Sequence, residues 1–136
     1  MTVPYQNFTH PFFTDKILAA GDTDIKWASG EGTSTKYTSA DTEKVEIANI
    51  RVSAAFNAAS SGEVIVHVRK NSDTNLNTKT ISISAPGSAD AQVKEFTIYG
   101  PFSNLDIGVQ SDDDTHPVTV SVSIYDGLKM TGVTAA

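Results

Sequence analysis

The residues of this chain with the most chemistry to offer are three histidines, a run of three aspartates and eleven aromatic rings. The histidines are His10, His67 and His116. His10 and His116 each precede a proline, which holds their backbone extended. None stands in the HExxH spacing that places two imidazoles on one helix face around zinc. Serine is too frequent to mark a nucleophile beside a histidine and an acid, and no GxSxG elbow occurs. There is no cysteine, so thiolate nucleophiles, thiolate metal sites and disulfides are excluded. The chain reads as non-enzymatic, with no cofactor and no metal.

Asp112, Asp113 and Asp114 form the densest charge cluster. Hard cations take several carboxylate and carbonyl oxygens, so a Ca²⁺ loop is one reading. A solvated hairpin tip is the other, and without flanking ligands it is preferred. Asp73 to Asn77 (DTNLN) imitates the first half of an EF-hand loop. It lacks the glycine of the sharp turn, with Thr78 in its place, and the glutamate at the twelfth position, which is Ser84. An Asx-rich turn is preferred there too. Trp27, Tyr37, Tyr99, Phe102 and Tyr125 offer rings that could stack on sugars. Tyr125 interrupts a Thr/Ser strand face and is the best candidate for an exposed ring. A carbohydrate-binding module would use Tyr125, Trp27 and the Asp112–Asp114 loop as contacts.

The stretch PYQNFTHPFF, residues 4 to 13, holds Tyr5, Phe8, Phe12 and Phe13 between two prolines. Proline favours extended chain over helix at such positions. Burying these rings is worth about 1.5–3 kcal/mol each. They are therefore expected on a partner's surface, as an extended N-terminal arm spanning 1–14. The rival reading is a first strand packed on its own domain. A mildly apolar tail, 127–136, could also reach a neighbour.

These residues sit in a chain of 136 residues, enough for one domain with a core that needs no staples. Net charge is −6, and Arg69-Lys70 is the nearest approach to a basic run. Tracking phosphates needs clustered cations, so neither nucleic acid nor an anionic membrane is expected as a partner. The N-terminus has no basic segment followed by an apolar core, so no secretory leader is expected. Serine and threonine number 30, while charged residues make up 19%. The surface is therefore coated with hydroxyls more than with ion pairs.

The elements that must position these groups are strands. Val118 to Tyr125 (VTVSVSIY) alternates β-branched apolar residues with Thr and Ser, the pattern of a sheet with one wet face. Period-2 runs recur at Glu63 to Arg69, Lys79 to Ser84, 92–99 and Leu105 to Val109. In Glu43 to Phe56 the phase slips, and a bulge is predicted at Ala48-Asn49. Ile17-Leu18 and Ile25-Trp27 read as a short strand pair around Gly21-Asp22, and residues 38–44 could hold one helical turn. Turns recur about every ten residues. The fold class is all-β: an antiparallel β-sandwich of seven or eight strands over 15–126, jelly-roll or immunoglobulin-like.

A small acidic sandwich without cysteine, rich in Ser and Thr and carrying an aromatic-proline arm, resembles the small virion structural proteins of tailed phages. The capsid decoration or cement type is the nearest. The resemblance implies a homo-oligomer, trimer or dimer, in the virion, bound to the major capsid protein and assembled in the host cytoplasm. A tail, neck or fibre component is the variant of that reading.

Overall fold

The computed structural model describes residues 4–30, 36–40, 42–70 and 79–132. Nine strands occur among them: β1 (Tyr5–Leu18), β2 (Lys26–Trp27), β3 (Tyr37–Thr38), β4 (Lys44–Ala55), β5 (Glu63–Lys70), β6 (Lys79–Ser84), β7 (Ala91–Phe102), β8 (Asn104–Ser111) and β9 (Val118–Met130). A single 3₁₀ turn follows β2 at Ala28–Gly30.

The strands form two antiparallel sheets. Sheet A runs β1-β9-β4-β7, and sheet B runs β2-β8-β5-β6, with β3 also pairing β8. Following the chain, nearly every connection crosses from one sheet to the other. The exceptions are β2 to β3 and the β5–β6 hairpin. This path is that of a jelly roll, which decides between the two topologies the strand pattern allowed.

The alternation in sequence explains the layers. Val118, Val120, Val122 and Ile124 of β9 are fully buried or nearly so, as are Ile50, Val52 and Ala54 of β4. Val64, Val66 and Val68 of β5 and Leu105, Ile107 and Val109 of β8 meet them from sheet B. The intervening Thr119, Ser121 and Ser123 stay on the wet side of sheet A.

The structure departs from the sequence expectations at several points. Residues 5–14 are not an arm: they are the greater part of β1, paired with β9 from Tyr5↔Met130 to Leu18↔Val118. Residues 127–130 are not tail but the end of β9, where they pair with β1 and β4. The sandwich therefore extends at least from Tyr5 to Met130. An irregularity does adjoin Ala48-Asn49, between Asn49↔Asp126 and Ile50↔Ile124, but its extra residue is on β9; the bulge of β4 itself lies at Glu46, where Val45↔Lys129 gives way to Ile47↔Leu128. β7 approaches closely at the same point, where its own register against β4 slips between Phe102 and Tyr99. A Cβ on Gly100 would come within 1.9 Å of the Val45 carbonyl oxygen. Ile17-Leu18 and Lys26-Trp27 do not pair with each other; the first belongs to sheet A and the second to sheet B. Residues 38–44 make a turn closed by Glu43 N donating to Ala40 O at 2.9 Å, with Asp41 outside the described residues.

Candidate functional site

The aromatic N-terminal stretch packs on its own domain. Phe12 and Phe13 are 0% and 2% exposed. A plain strand would turn one of two successive rings to water. Here the register slips between Pro11↔Ser123 and Phe13↔Val122, and the extra residue lets both rings face inward. A second slip follows before Lys16, around Asp15, whose φ of 49° is left-handed. The Asp15 amide donates to Ser121 Oγ at 3.0 Å and holds that bend. Phe8 stacks on Tyr37 with centroids 4.7 Å apart, and His10 meets Tyr37 and Phe12 edge-on. Gly127 makes the slot for Phe8, since a Cβ there would lie 2.5 Å from the ring. Burial pushes the Tyr37 hydroxyl above its ordinary pKa. Of the four residues expected to meet a partner, only Tyr5, at 55% exposure, lies largely in solvent.

Trp27 lies on the outer face of sheet B. A Cβ on Gly108 would be 2.9 Å from the indole, so the ring rests directly on that glycine's backbone. The Arg69 guanidinium stands 3.6 Å from the ring centroid. Beside them, Gln110 Nε2 donates to Thr23 O at 2.9 Å, which turns its Oε1 to accept from His67 Nε2 at 3.1 Å. Asp106 accepts from the Ser29 amide and hydroxyl at 3.1 and 2.5 Å and ties the 3₁₀ turn to β8. The ring is thus held between a backbone floor and a cation.

Tyr125 lies on the outer face of sheet A. It is the extra residue of a β9 bulge, between Asn49↔Asp126 and Ile50↔Ile124. Its hydroxyl donates to Glu95 Oε2 at 2.9 Å, and Arg51 binds Glu95 Oε1 at 2.9 Å while lying 4.3 Å over the ring. The tyrosine bond and the guanidinium hold the Glu95 carboxyl below its usual pKa; the carboxylate in turn pushes Tyr125 up. The group straps three neighbouring strands, β9, β4 and β7. It leaves Tyr125 half-buried instead of standing free.

The aspartate run is a folded loop between β8 and β9. Asp112 Oδ1 accepts from the Glu63 amide at 2.6 Å, packed against Gly62, whose φ of 92° keeps space for it. Asp113 is 5% exposed. Its Oδ1 accepts from the Thr115 amide (2.9 Å), the Thr115 hydroxyl (3.1 Å) and the His116 amide (3.0 Å). These bonds, the Thr115 amide first, hold its pKa down to about 2. Asp114 is exposed. Two of the three carboxylates are therefore engaged with backbone amides, as in an Asx turn. The DTNLN stretch lies outside the described residues.

The fold does not gather the ring-and-aspartate set named from sequence. Trp27 and Tyr125 occupy opposite faces of the sandwich, and the aspartates sit in the β8–β9 loop. Tyr37 and Phe102 are buried, at 8% and 2% exposure. The sequence named Tyr5 and Tyr99 as candidate contacts but not Ile17 or Val93, nor did it show that the four share the edges of sheet A. The exposed large apolar side chains among the described residues are Tyr5 and Ile17 on β1 and Val93 and Tyr99 on β7. Those are the two edge strands of one sheet. The signal was present in β7, where Val93 and Tyr99 share the phase of Glu95 and Thr97 rather than that of the inward Phe96 and Ile98.

No protein-family model matches the chain, and no curated protein sequence does. Solved structures do match it. A chain of infectious bursal disease virus, Gx strain, is similar with a TM-score of 0.52 at 10% identity, covering 94% of this chain and 33% of that one. The VP2 subviral particle of infectious bursal disease virus gives 0.50 at 7% identity, with the same coverages. A family 35 carbohydrate-binding module from an environmental isolate gives 0.45 at 14% identity, covering 94% of this chain and 99% of that one. This chain spans about a third of the length of the two viral chains. At such identities the likeness is one of fold, which one architecture lends to unrelated functions.

Proposed function

We propose that this protein is a non-enzymatic structural component of a virus particle. It associates with copies of itself and stabilises a capsid as a decoration or cement protein, with the major capsid protein as its partner and the virion as its location. The observation that carries this reading is the placement of Tyr5, Ile17, Val93 and Tyr99. A soluble sandwich normally blunts its edges with charge or proline. The edge strands here hold Pro11, Lys94, Glu95 and Pro101, but they also carry the exposed large apolar groups of the described residues, where a neighbouring chain can extend the sheet. The likeness of its jelly roll to chains of infectious bursal disease virus supports the same reading. Phe12 and Phe13 are removed from the proposed interface, because their own core holds them; Tyr5 keeps its place in it.

The test is mass spectrometry of purified particles from the source of the gene, followed by rebinding of recombinant protein to particles stripped of it. The chain is expected in the particles at a fixed ratio to the major capsid protein. Particles that lack it and do not bind it would overturn the proposal. The carbohydrate reading is not advanced, because Trp27 lies between Gly108 and Arg69 and its supposed companions are elsewhere.

A further inference from the structure

The four sheet edges of the sandwich are not equivalent. β2 and β3 are two residues long, and β6 is six, with Lys94 Nζ donating to its Ser82 carbonyl at 2.9 Å. β1 contains Pro11 and three register slips. β7 is different: from Ala91 to Tyr99 it pairs with β4 without a break, Ala55↔Ala91 through Ile47↔Tyr99. A long regular edge is a template for another strand. Beside it, a groove of about 390 Å³ lies between Ser82–Ser84 of β6 and Gln92–Lys94 of β7, spanned by the Lys94 side chain.

We propose that β7 is a dimer interface, pairing antiparallel with β7 of a second copy about a two-fold axis perpendicular to sheet A, in the register centred on Phe96. The partner is a second copy because the edge is complementary to itself. Such an axis keeps outer residues opposite outer residues, so it must lie midway between one residue of β7 and the same residue of the second copy. Centring on Lys94 opposes two lysines, and centring on Glu95 opposes two glutamates; like charges in direct opposition destabilise a pair. Centring on Thr97 moves Pro101, which has no amide to donate, inward to face Val93, whereas centring on Phe96 leaves it opposite Ala91 at the strand's first residue. Centres nearer Ala91 shorten the ladder. Centring on Phe96 opposes no like charges.

That register also puts the exposed apolar groups together. Val93 and Tyr99 lie three residues either side of Phe96, so Val93 of each copy faces Tyr99 of the other. Their exposures, 58% and 67%, fall on joining. Glu95 faces Thr97, Lys94 lays its stem along Ile98, and the two Phe96 rings meet at the axis. Lys70 Nζ already donates to the Tyr99 carbonyl at 3.2 Å. A carbonyl has two lone pairs, so this bond does not block the edge. The joined sheet has eight strands, β1-β9-β4-β7 followed by its mirror order.

This inference rests on the self-association proposed above and names its surface. The test uses the full chain, which has no native cysteine. Sedimentation should give twice the 14.5 kDa chain mass. Mixing Val93→Cys and Tyr99→Cys single variants under mild oxidation should give a cross-linked dimer, while either alone should give none. Both sites are exposed, and unchanged melting of the reduced variants controls for folding. Tyr99→Glu should weaken association by about 10-fold or more. A monomer at about 100 µM, where even a Kd of about 10 µM leaves mostly dimer, overturns the proposal and self-association in solution with it. A dimer in which Tyr99→Cys cross-links to itself, or in which Tyr99→Glu has no effect, rejects this surface and leaves self-association standing. Absence of the chain from particles rejects the virion role and leaves the dimer standing.

Discussion

Whether PYQNFTHPFF serves its own core or a neighbour's can be decided by one pair of substitutions. Phe12 is fully buried and Phe13 nearly so. Truncating a buried phenylalanine removes its transfer free energy and leaves a cavity, together about 3–5 kcal/mol. Small domains are stable by about 5–15 kcal/mol in all, so Phe12→Ala removes a large part of the margin. For a chain of this size that corresponds to a fall in Tm of about 10–20 °C. Tyr5 is over half exposed and pairs with Met130 at the far end of the same strand. Tyr5→Ala is expected to change stability by about 0.5 kcal/mol or less.

The assay is urea unfolding of the two variants and the parent, with the mass of each measured at the same concentration. If the reasoning holds, Phe12→Ala unfolds at much lower urea and Tyr5→Ala does not. A Phe12→Ala protein within about 1 kcal/mol of the parent, but with a reduced mass, would refute it. The ring would then have been held by a neighbour and not by its own sandwich. Deleting residues 4–13 is the stronger form of the same test, since it strips β9 of most of its partner strand. That deletion is expected to unfold the domain.

Gly108→Ala places a methyl 2.7 Å from Ile25 and 2.9 Å from the Trp27 indole, so the ring must lift from sheet B. Trp27 is the only tryptophan, and a red shift of its emission, with a loss of about 1–3 kcal/mol, is expected. Asp113 has a folded pKa depressed to about 2, so its charged form stabilises the loop above the unfolded value and that contribution is lost as pH falls from about 4 to about 2. Asp113→Asn should therefore lower Tm at pH 7, with the gap to the parent closing across that acid window in a calorimetric pH series. Glu95→Gln removes the carboxylate that raises Tyr125, so the Tyr125 phenol should ionise at lower pH in an absorbance titration. An unchanged tyrosine titration would show that the Glu95–Tyr125 bond does not persist in solution.

The layers of this fold were legible because period 2 is a property of a strand on its own. Val118 to Ile124 announces its buried face without reference to any partner. The bulges were not legible in the same way, because a bulge is a relation between two strands. The phase change in β4 showed that an extra residue exists. It did not show that Glu46 holds it, since Ile47 fits either phase until the register against β9 is known. In β1 the consequence was larger. Two adjacent phenylalanines cannot both face a core in a regular strand, so the sequence favoured an external partner. The slip against Ser123 and Val122 removes that conflict inside one chain.

Edge position is likewise a property of pairing. Val93 looks unremarkable in sequence, and Tyr99 is only one of several candidate rings, because an apolar residue on a wet face is common and needs no explanation on its own. They acquire meaning when β7 proves to end sheet A, and when the other edges prove short, slipped or capped. The surfaces that sequence favoured, Trp27, Tyr125 and the aspartates, are instead closed by their own neighbours: a glycine floor and Arg69, the Glu95–Arg51 strap, and backbone amides. Groups with such internal ties have little left to offer a ligand. Exposed apolar groups on an edge strand keep both apolar surface and backbone hydrogen-bonding capacity, and another strand takes up both together. Among the described residues β7 is the long regular edge without a second partner strand, so it has more to offer another chain than the side chains that resemble a binding site.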